Sequence, residues 1–211
     1  MTSLPARIYL SLLAVTGWFA LVAQFVLTMD NRMAPVGESV VRFFSYFTIL
    51  SNILVTAGVT VLVFSPASPR GKWLARASPQ TALAVYIAVV CLVYNLVLRP
   101  VWDPQGLQRV VDELLHVVVP VLYILFWLVR TRQSALQWRN IPGWLIYPAV
   151  YALWILLWGE FTDWYPYPFM DVGKLGYGEV LENSGLVVLV FLLFSLLPVA
   201  AGKIAGRRAR R

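Results

Sequence analysis

Apolar residues gather into six long runs, at about 8–29, 41–64, 80–98, 110–129, 142–159 and 183–202, separated by shorter polar stretches. A helix that crosses a bilayer needs roughly 20 mostly apolar residues, and each run is close to that length. Proline and glycine cluster between the runs, as in SPASPRGK and WYPYPFMDVGKLGYGE, which marks those stretches as loops. The pattern predicts an all-α integral membrane protein with six transmembrane helices in one domain over 1–211 and a basic tail over 203–211. The first run follows a lone arginine and could pass for a signal peptide. It is of spanning length and lacks an A-x-A cleavage site, so it is read as a retained helix. The third run is the most interrupted, by Tyr86, Cys91, Tyr94 and Asn95.

The second run carries an unusual load of polar groups. Ser45, Thr48, Asn52, Thr56 and Thr60 recur at helical spacing. At about 100° per residue they share roughly a third of the circumference. Phe43, Phe47, Leu50 and Leu54 fall on the opposite side, which is expected to face lipid. Ser51 lies about 60° off Thr48, away from the stripe, and is read as a flank. A stripe of this kind serves helix–helix hydrogen bonding in many membrane bundles. It can equally mark a functional site, because polar side chains at membrane depth are costly and face the bundle interior.

Composition agrees with the pattern: 60% of the 211 residues are hydrophobic, 13% are charged, and mean hydropathy is +0.73. The few charges set the orientation. Twelve of the 17 Lys and Arg fall before the first helix, in the second and fourth connections or in the tail, with no acidic residue among them. All ten Asp and Glu fall on the other side, and the positive-inside rule then puts both termini in the cytoplasm. The net charge of +7 needs no nucleic-acid partner, since short cytoplasmic loops can hold it against anionic lipid. Cys91 is the only cysteine and reads as a small packing residue. No zinc spacing, P-loop, GxGxxG, HExxH or GxSxG pattern occurs, which argues against the common soluble cofactor and hydrolase folds.

His116, the only histidine, stands in DELLHVVVPVLYILFWLV of the fourth helix, with Asp112 one turn before it and Tyr123 two turns after it. Imidazole is the side chain best suited to act as a general base near neutral pH. Counted from the expected helix starts, Thr48 and His116 each lie about 10 Å below the outer boundary. A hydroxyl and an imidazole at one level of the outer leaflet are the minimum for nucleophilic catalysis.

RFFSYFTILSN, the histidine in DELLHVVVP, and WYPYPFMDVGKLGYG ahead of the last helix together resemble one family, the androgen-induced protein and ADTRP-like group, in its bacterial six-helix branch. The resemblance covers the chain in order and number of helices. Animal members are membrane-embedded threonine hydrolases that cleave fatty acid esters of hydroxy fatty acids. By motif the resemblance implies that Thr48 is the nucleophile and His116 the catalytic histidine. It also implies a lipid or fatty acid ester substrate, no metal or organic cofactor, and a place in the bacterial inner membrane with the site in the outer-leaflet half. Asn52 is then expected to donate to an oxyanion or orient the imidazole, and Asp112 to hold its tautomer. Ser45, Tyr94 and Asn95 are expected to line the site. Ser51 and Asn52 follow the bacterial pattern and not the animal one. The rival readings are a small-molecule or lipid transporter or channel, and a non-catalytic membrane scaffold. Against the former, no internal repeat is present and the polar positions cluster on the outer side. The aromatic stretch Trp164–Phe169 reads as an interfacial belt with proline-fixed turns, and Asp171 with Lys174 as a loop ion pair.

Overall fold

The computed structural model describes residues 3–208, and all regular structure among them is helical. In chain order the helices are α1 (Leu4–Asp30), α2 (Val36–Phe44), α3 (Phe47–Phe64), α4 (Pro69–Leu74), α5 (Ala77–Val93), α6 (Gly106–Glu113), α7 (Val119–Arg130), α8 (Ile141–Thr162) and α9 (Val172–Arg208). Short 3₁₀ turns join several of them. Six stretches are long and apolar enough to cross a membrane: Leu4–Asp30, Phe47–Phe64, Ala77–Val101, Gly106–Arg130, Trp138–Thr162 and Val172–Gly206. The chain is thus an all-helical, multi-pass membrane protein. Its contacts divide it into two compact units, Met1–Arg132 and Gln133–Arg211.

In the first unit the expected continuous helix over 41–64 is broken at Ser45–Tyr46. Ser45 ends α2 by turning its hydroxyl back onto Val41 O (2.8 Å), while its N–H reaches Arg42 O (3.0 Å). Tyr46 then leaves the helix in an extended conformation, φ −86° and ψ 124°, and its carbonyl accepts Leu50 N–H to start α3. The break redirects α2, so Phe43 does not face lipid as expected. It is buried edge-on against Phe25 of α1, with ring centroids 5.1 Å apart. Such pairs add about 0.5–1.5 kcal/mol beyond their burial. Phe47 is buried too, and of the four residues assigned to lipid only Leu54 is exposed. The reason is that α3 packs against α1, α2, α4, α5 and the 114–118 segment, so little of it remains uncovered. At Gly17 of α1 the two helices fit closely, and a methyl group there would come within 2.2 Å of Thr56 Oγ1.

The third and fourth spans share a local device that the apolar pattern does not show. Each widens into a single π turn, at Tyr94–Leu98 and at Leu114–Val118. Arg99 N–H reaches back five residues to Tyr94 O, and Val119 N–H does the same to Leu114 O. In both cases a proline comes next, Pro100 or Pro120. A proline ring inside a helix crowds the carbonyl four residues before it, and widening the preceding turn relieves that contact. The site below is built on these two turns.

In the second unit, α9 begins at Val172, eleven residues before the expected start of the sixth helix, and is interrupted at Gly176. Gly176 has φ +75°, a conformation that glycine adopts without steric cost. The expected ion pair is present, with Lys174 Nζ 2.8 Å from Asp171 Oδ2. Of the basic tail, Lys203 lies within α9, and Arg210 and Arg211 lie outside the described residues.

Candidate functional site

α3 carries four buried polar residues in its first three turns: Thr48, Ser51, Asn52 and Thr56. Ser51, expected as a flank, is fully buried, because neighbours cover that side of α3 as well. Thr48 is the second residue of α3. There it sits within the first turn, where the helix dipole favours developing negative charge. Asn52 points back toward the start of its own helix and across to the next. Its amide nitrogen donates to Thr48 O at 2.8 Å and to Leu115 O at 3.1 Å.

The second bond has a specific cause. In a regular helix Leu115 O would accept from Val119, and in a π turn from residue 120. Val119 N–H is committed to Leu114 O, and Pro120 has no N–H. The Leu115 carbonyl is therefore left without a main-chain donor, and Asn52 supplies one. A buried carbonyl in that position costs about 1–3 kcal/mol when unpaired. One side chain thus ties the main chain of Thr48 to the residue before His116. The two carbonyls are separated by no more than those two hydrogen bonds laid end to end.

The same geometry revises the role expected of Asn52. Both carbonyls can only accept, so the NH₂ group must face them, and both its hydrogens are engaged. Asn52 is a tether between helices and has no hydrogen left for an oxyanion. Its Oδ1 is buried without a protein partner.

His116 is the third residue of the second π turn and is buried beside Asp112. Its Nδ1 lies 2.9 Å from Asp112 O. A carbonyl only accepts, so Nδ1 carries the hydrogen and Nε2 presents the lone pair. The group of Asp112 within hydrogen-bond reach of Nδ1 is its main-chain carbonyl and not its carboxylate. Its carboxylate Oδ1 stays 3.6 Å from Nδ1, and its Oδ2 accepts a hydrogen bond from the Tyr94 hydroxyl. The Tyr94 ring stacks on the imidazole, with centroids 3.8 Å apart and planes within 12°. Arg99, at the end of the first π turn, pairs with Glu113 at 2.7 Å, and its guanidinium carbon lies 5.2 Å from the Tyr94 ring centre.

Thr48, Asn52, Asp112, His116 and Tyr94 are therefore drawn into one buried neighbourhood where α3, the two π turns and the end of α6 meet. Two other expected residues are turned elsewhere. The Ser45 hydroxyl donates to Val41 O (2.8 Å), and Asn95 donates to Cys91 O (2.8 Å), each on its own helix. Arg99 and Glu113 join the group without having been singled out in the sequence. The signal that could have found them is the matched placement of proline in YNLVLRP and LLHVVVP. No group of three or more metal-ligating side chains occurs among the described residues. No protein-family model, curated protein or solved structure matches the chain.

Proposed function

We propose that the protein is a membrane-embedded threonine hydrolase acting on lipid-like esters, fatty acid esters of hydroxy fatty acids among them. The observation that carries the reading is the Asn52 tether, which holds the main chain of a buried threonine against the π turn bearing a histidine whose Nε2 is the basic nitrogen. Thr48 Oγ attacks the ester carbonyl while His116 Nε2 takes its proton. The tetrahedral oxyanion collapses, the alkoxide leaves with the proton from Nε2, and the acyl group remains on Thr48. Water then attacks the acyl-threonine, giving its proton to Nε2, and the carboxylic acid and the Thr48 hydroxyl are regenerated. The dipole of α3 favours the negative charge that develops at its first turn.

The reading takes up the resemblance of RFFSYFTILSN, DELLHVVVP and WYPYPFMDVGKLGYG to the androgen-induced protein and ADTRP-like family. The charge asymmetry along the chain supports cytoplasmic termini and a site in the outer-leaflet half of a bacterial inner membrane. A shallow site of this kind admits lipid from the side and water from the surface.

The test is labelling of the purified protein with a fluorophosphonate ester probe, followed by mapping of the modified residue. Wild type is expected to be labelled on Thr48, and Thr48→Ala and His116→Ala to lose labelling by at least about a thousandfold. Labelling that survives Thr48→Ala, or that maps to Ser51, removes the assignment.

A further inference from the structure

The histidine is held at Nδ1 by a single hydrogen bond. One such bond leaves an imidazole free to tilt about it, and a general base that tilts loses its aim at the hydroxyl it serves. We infer that Tyr94 removes that freedom: it is a positioning residue whose ring fixes the plane of the His116 imidazole and whose hydroxyl fixes the Asp112 carboxylate. The catalytic consequence rests on the hydrolase reading, whereas the clamp itself can be observed without turnover.

Three contacts carry the inference. The phenol and the imidazole are stacked, with centroids 3.8 Å apart and planes nearly parallel, so tilting of the smaller ring would open a gap against the larger. The Tyr94 hydroxyl donates to Asp112 Oδ2. That bond holds the other carboxylate oxygen 3.6 Å from Nδ1, too far to take the hydrogen from Asp112 O. Arg99 then braces the tyrosine's segment. It reaches across to Glu113 at 2.7 Å, so the neighbours Asp112 and Glu113 both accept from residues 94–99. The two π turns thereby become two jaws, one bearing the clamp and the other the base. A tyrosine that only filled space would need neither the parallel stack nor the bond to the carboxylate.

The lone histidine makes the test direct, since labelling histidine with ¹⁵N reports a single imidazole. Spectra of the full-length chain in lipid nanodiscs distinguish protonated from unprotonated ring nitrogens. Wild type is expected to show one tautomer, Nδ1 protonated and Nε2 bare. Tyr94→Phe keeps the ring and is expected to keep that tautomer, while its turnover falls about tenfold with KM within about twofold. Tyr94→Leu and Tyr94→Met remove the stack, Met filling most of the space. Both are expected to give a mixture of tautomers and a turnover loss of about a hundredfold. A Leu or Met variant that folds and keeps the single wild-type tautomer overturns the inference, as does wild type protonated at Nε2. A Phe variant as mixed as Leu and Met also overturns it, because the ring is then not the clamp. If no form hydrolyses esters but the spectra behave as expected, the hydrolase reading fails and the positioning role stands. If hydrolysis depends on Thr48 but the tautomer ignores Tyr94, this inference alone fails.

Discussion

α3 and α8 are both apolar helices of spanning length, yet they are buried in opposite senses. Of the most apolar window of the α3 span, 61% is buried, including Thr48, Ser51, Asn52 and Thr56. The corresponding window of the α8 span is 22% buried, and Ile146, Val150, Leu153, Leu157 and Phe161 stand exposed. Apolarity does not separate them; α3 differs in carrying a row of hydrogen-bonding side chains among its apolar ones. In a bilayer the apolar surface is already solvated by lipid, so exposure costs it little, and hydrogen-bonding groups are the ones that need enclosure. The comparison predicts that single changes on α3 are felt strongly and that larger truncations on α8 are felt weakly.

The sharpest way to break that contrast is Asn52→Leu. The substitution keeps the volume but strips the donors from Thr48 O and Leu115 O. It is expected to cost about 2 kcal/mol of stability, because the Leu115 carbonyl has no replacement donor. Probe labelling at Thr48 is expected to fall at least about tenfold, since the helix of the nucleophile is no longer tied to the π turn of the base. Thermal unfolding in nanodiscs and labelling rates measure the two effects. A variant as stable and as reactive as wild type would show that the tether is incidental.

Gly17→Ala is expected to cost about 1–2 kcal/mol, as overpacking does in a closely fitted interface. The new methyl group would lie 2.2 Å from Thr56 Oγ1 unless α1 and α3 move apart. Thr56→Ala removes the two closest atoms and leaves only its Cβ at 3.2 Å, so the double variant is expected to lose less than the sum of the single ones. Labelling of the folded fraction should hardly change, since Gly17 takes no part in the polar cluster. Additive losses in a double-mutant cycle would place the strain elsewhere.

Much of this contrast can be read from the linear sequence, and its limits have physical causes. Six apolar runs separated by proline and glycine correspond to six spanning helices, and the polar period of α3 is visible in Thr48, Asn52 and Thr56. The break at Ser45–Tyr46 is not visible, because neither residue is a helix breaker and Ser45 acts only by turning its hydroxyl back to Val41 O. The early start of α9 was hidden by Gly173, Gly176 and Gly178, which read as loop although only Gly176 takes a positive φ. The π turns could have been suspected from Pro100 and Pro120, each the seventh residue counted from the start of its turn. From the sequence Tyr94 is expected only to line the site; its contacts with Asp112 and His116, and that of Arg99 with Glu113, are made across helices and follow from the fold.

On the other side of the comparison, Leu153→Ala in α8 is expected to change stability by no more than about 0.5 kcal/mol. Leu153 is 60% exposed, so truncation exchanges one lipid-solvated apolar surface for a smaller one. Val55→Ala on α3, where the side chain is fully enclosed, removes less mass and is expected to cost more, about 1 kcal/mol. Unfolding midpoints for the pair give the order directly. The reverse order would mean that α8 is covered by a partner in the membrane.

The smallest effect belongs to a polar contact that lies outside the enclosed set. Lys174 donates to the Asp171 carboxylate, and that bond holds its pKa below the usual carboxylate range against a weaker opposing effect of burial. A carboxyl whose pKa is lower in the folded state adds stability above its unfolded value and loses that contribution as pH falls through the folded value. Asp171→Asn is therefore expected to melt slightly below wild type at pH 7, with the gap closing below about pH 4. The Lys174 side chain is 77% exposed, so water screens the pair and the gap should be small beside that of Asn52→Leu. High salt should narrow it further at pH 7 while leaving the Asn52→Leu deficit intact, because ions reach an exposed helix end and not the interior of a helix bundle. If salt narrowed both gaps alike, the enclosure assigned to α3 would be wrong.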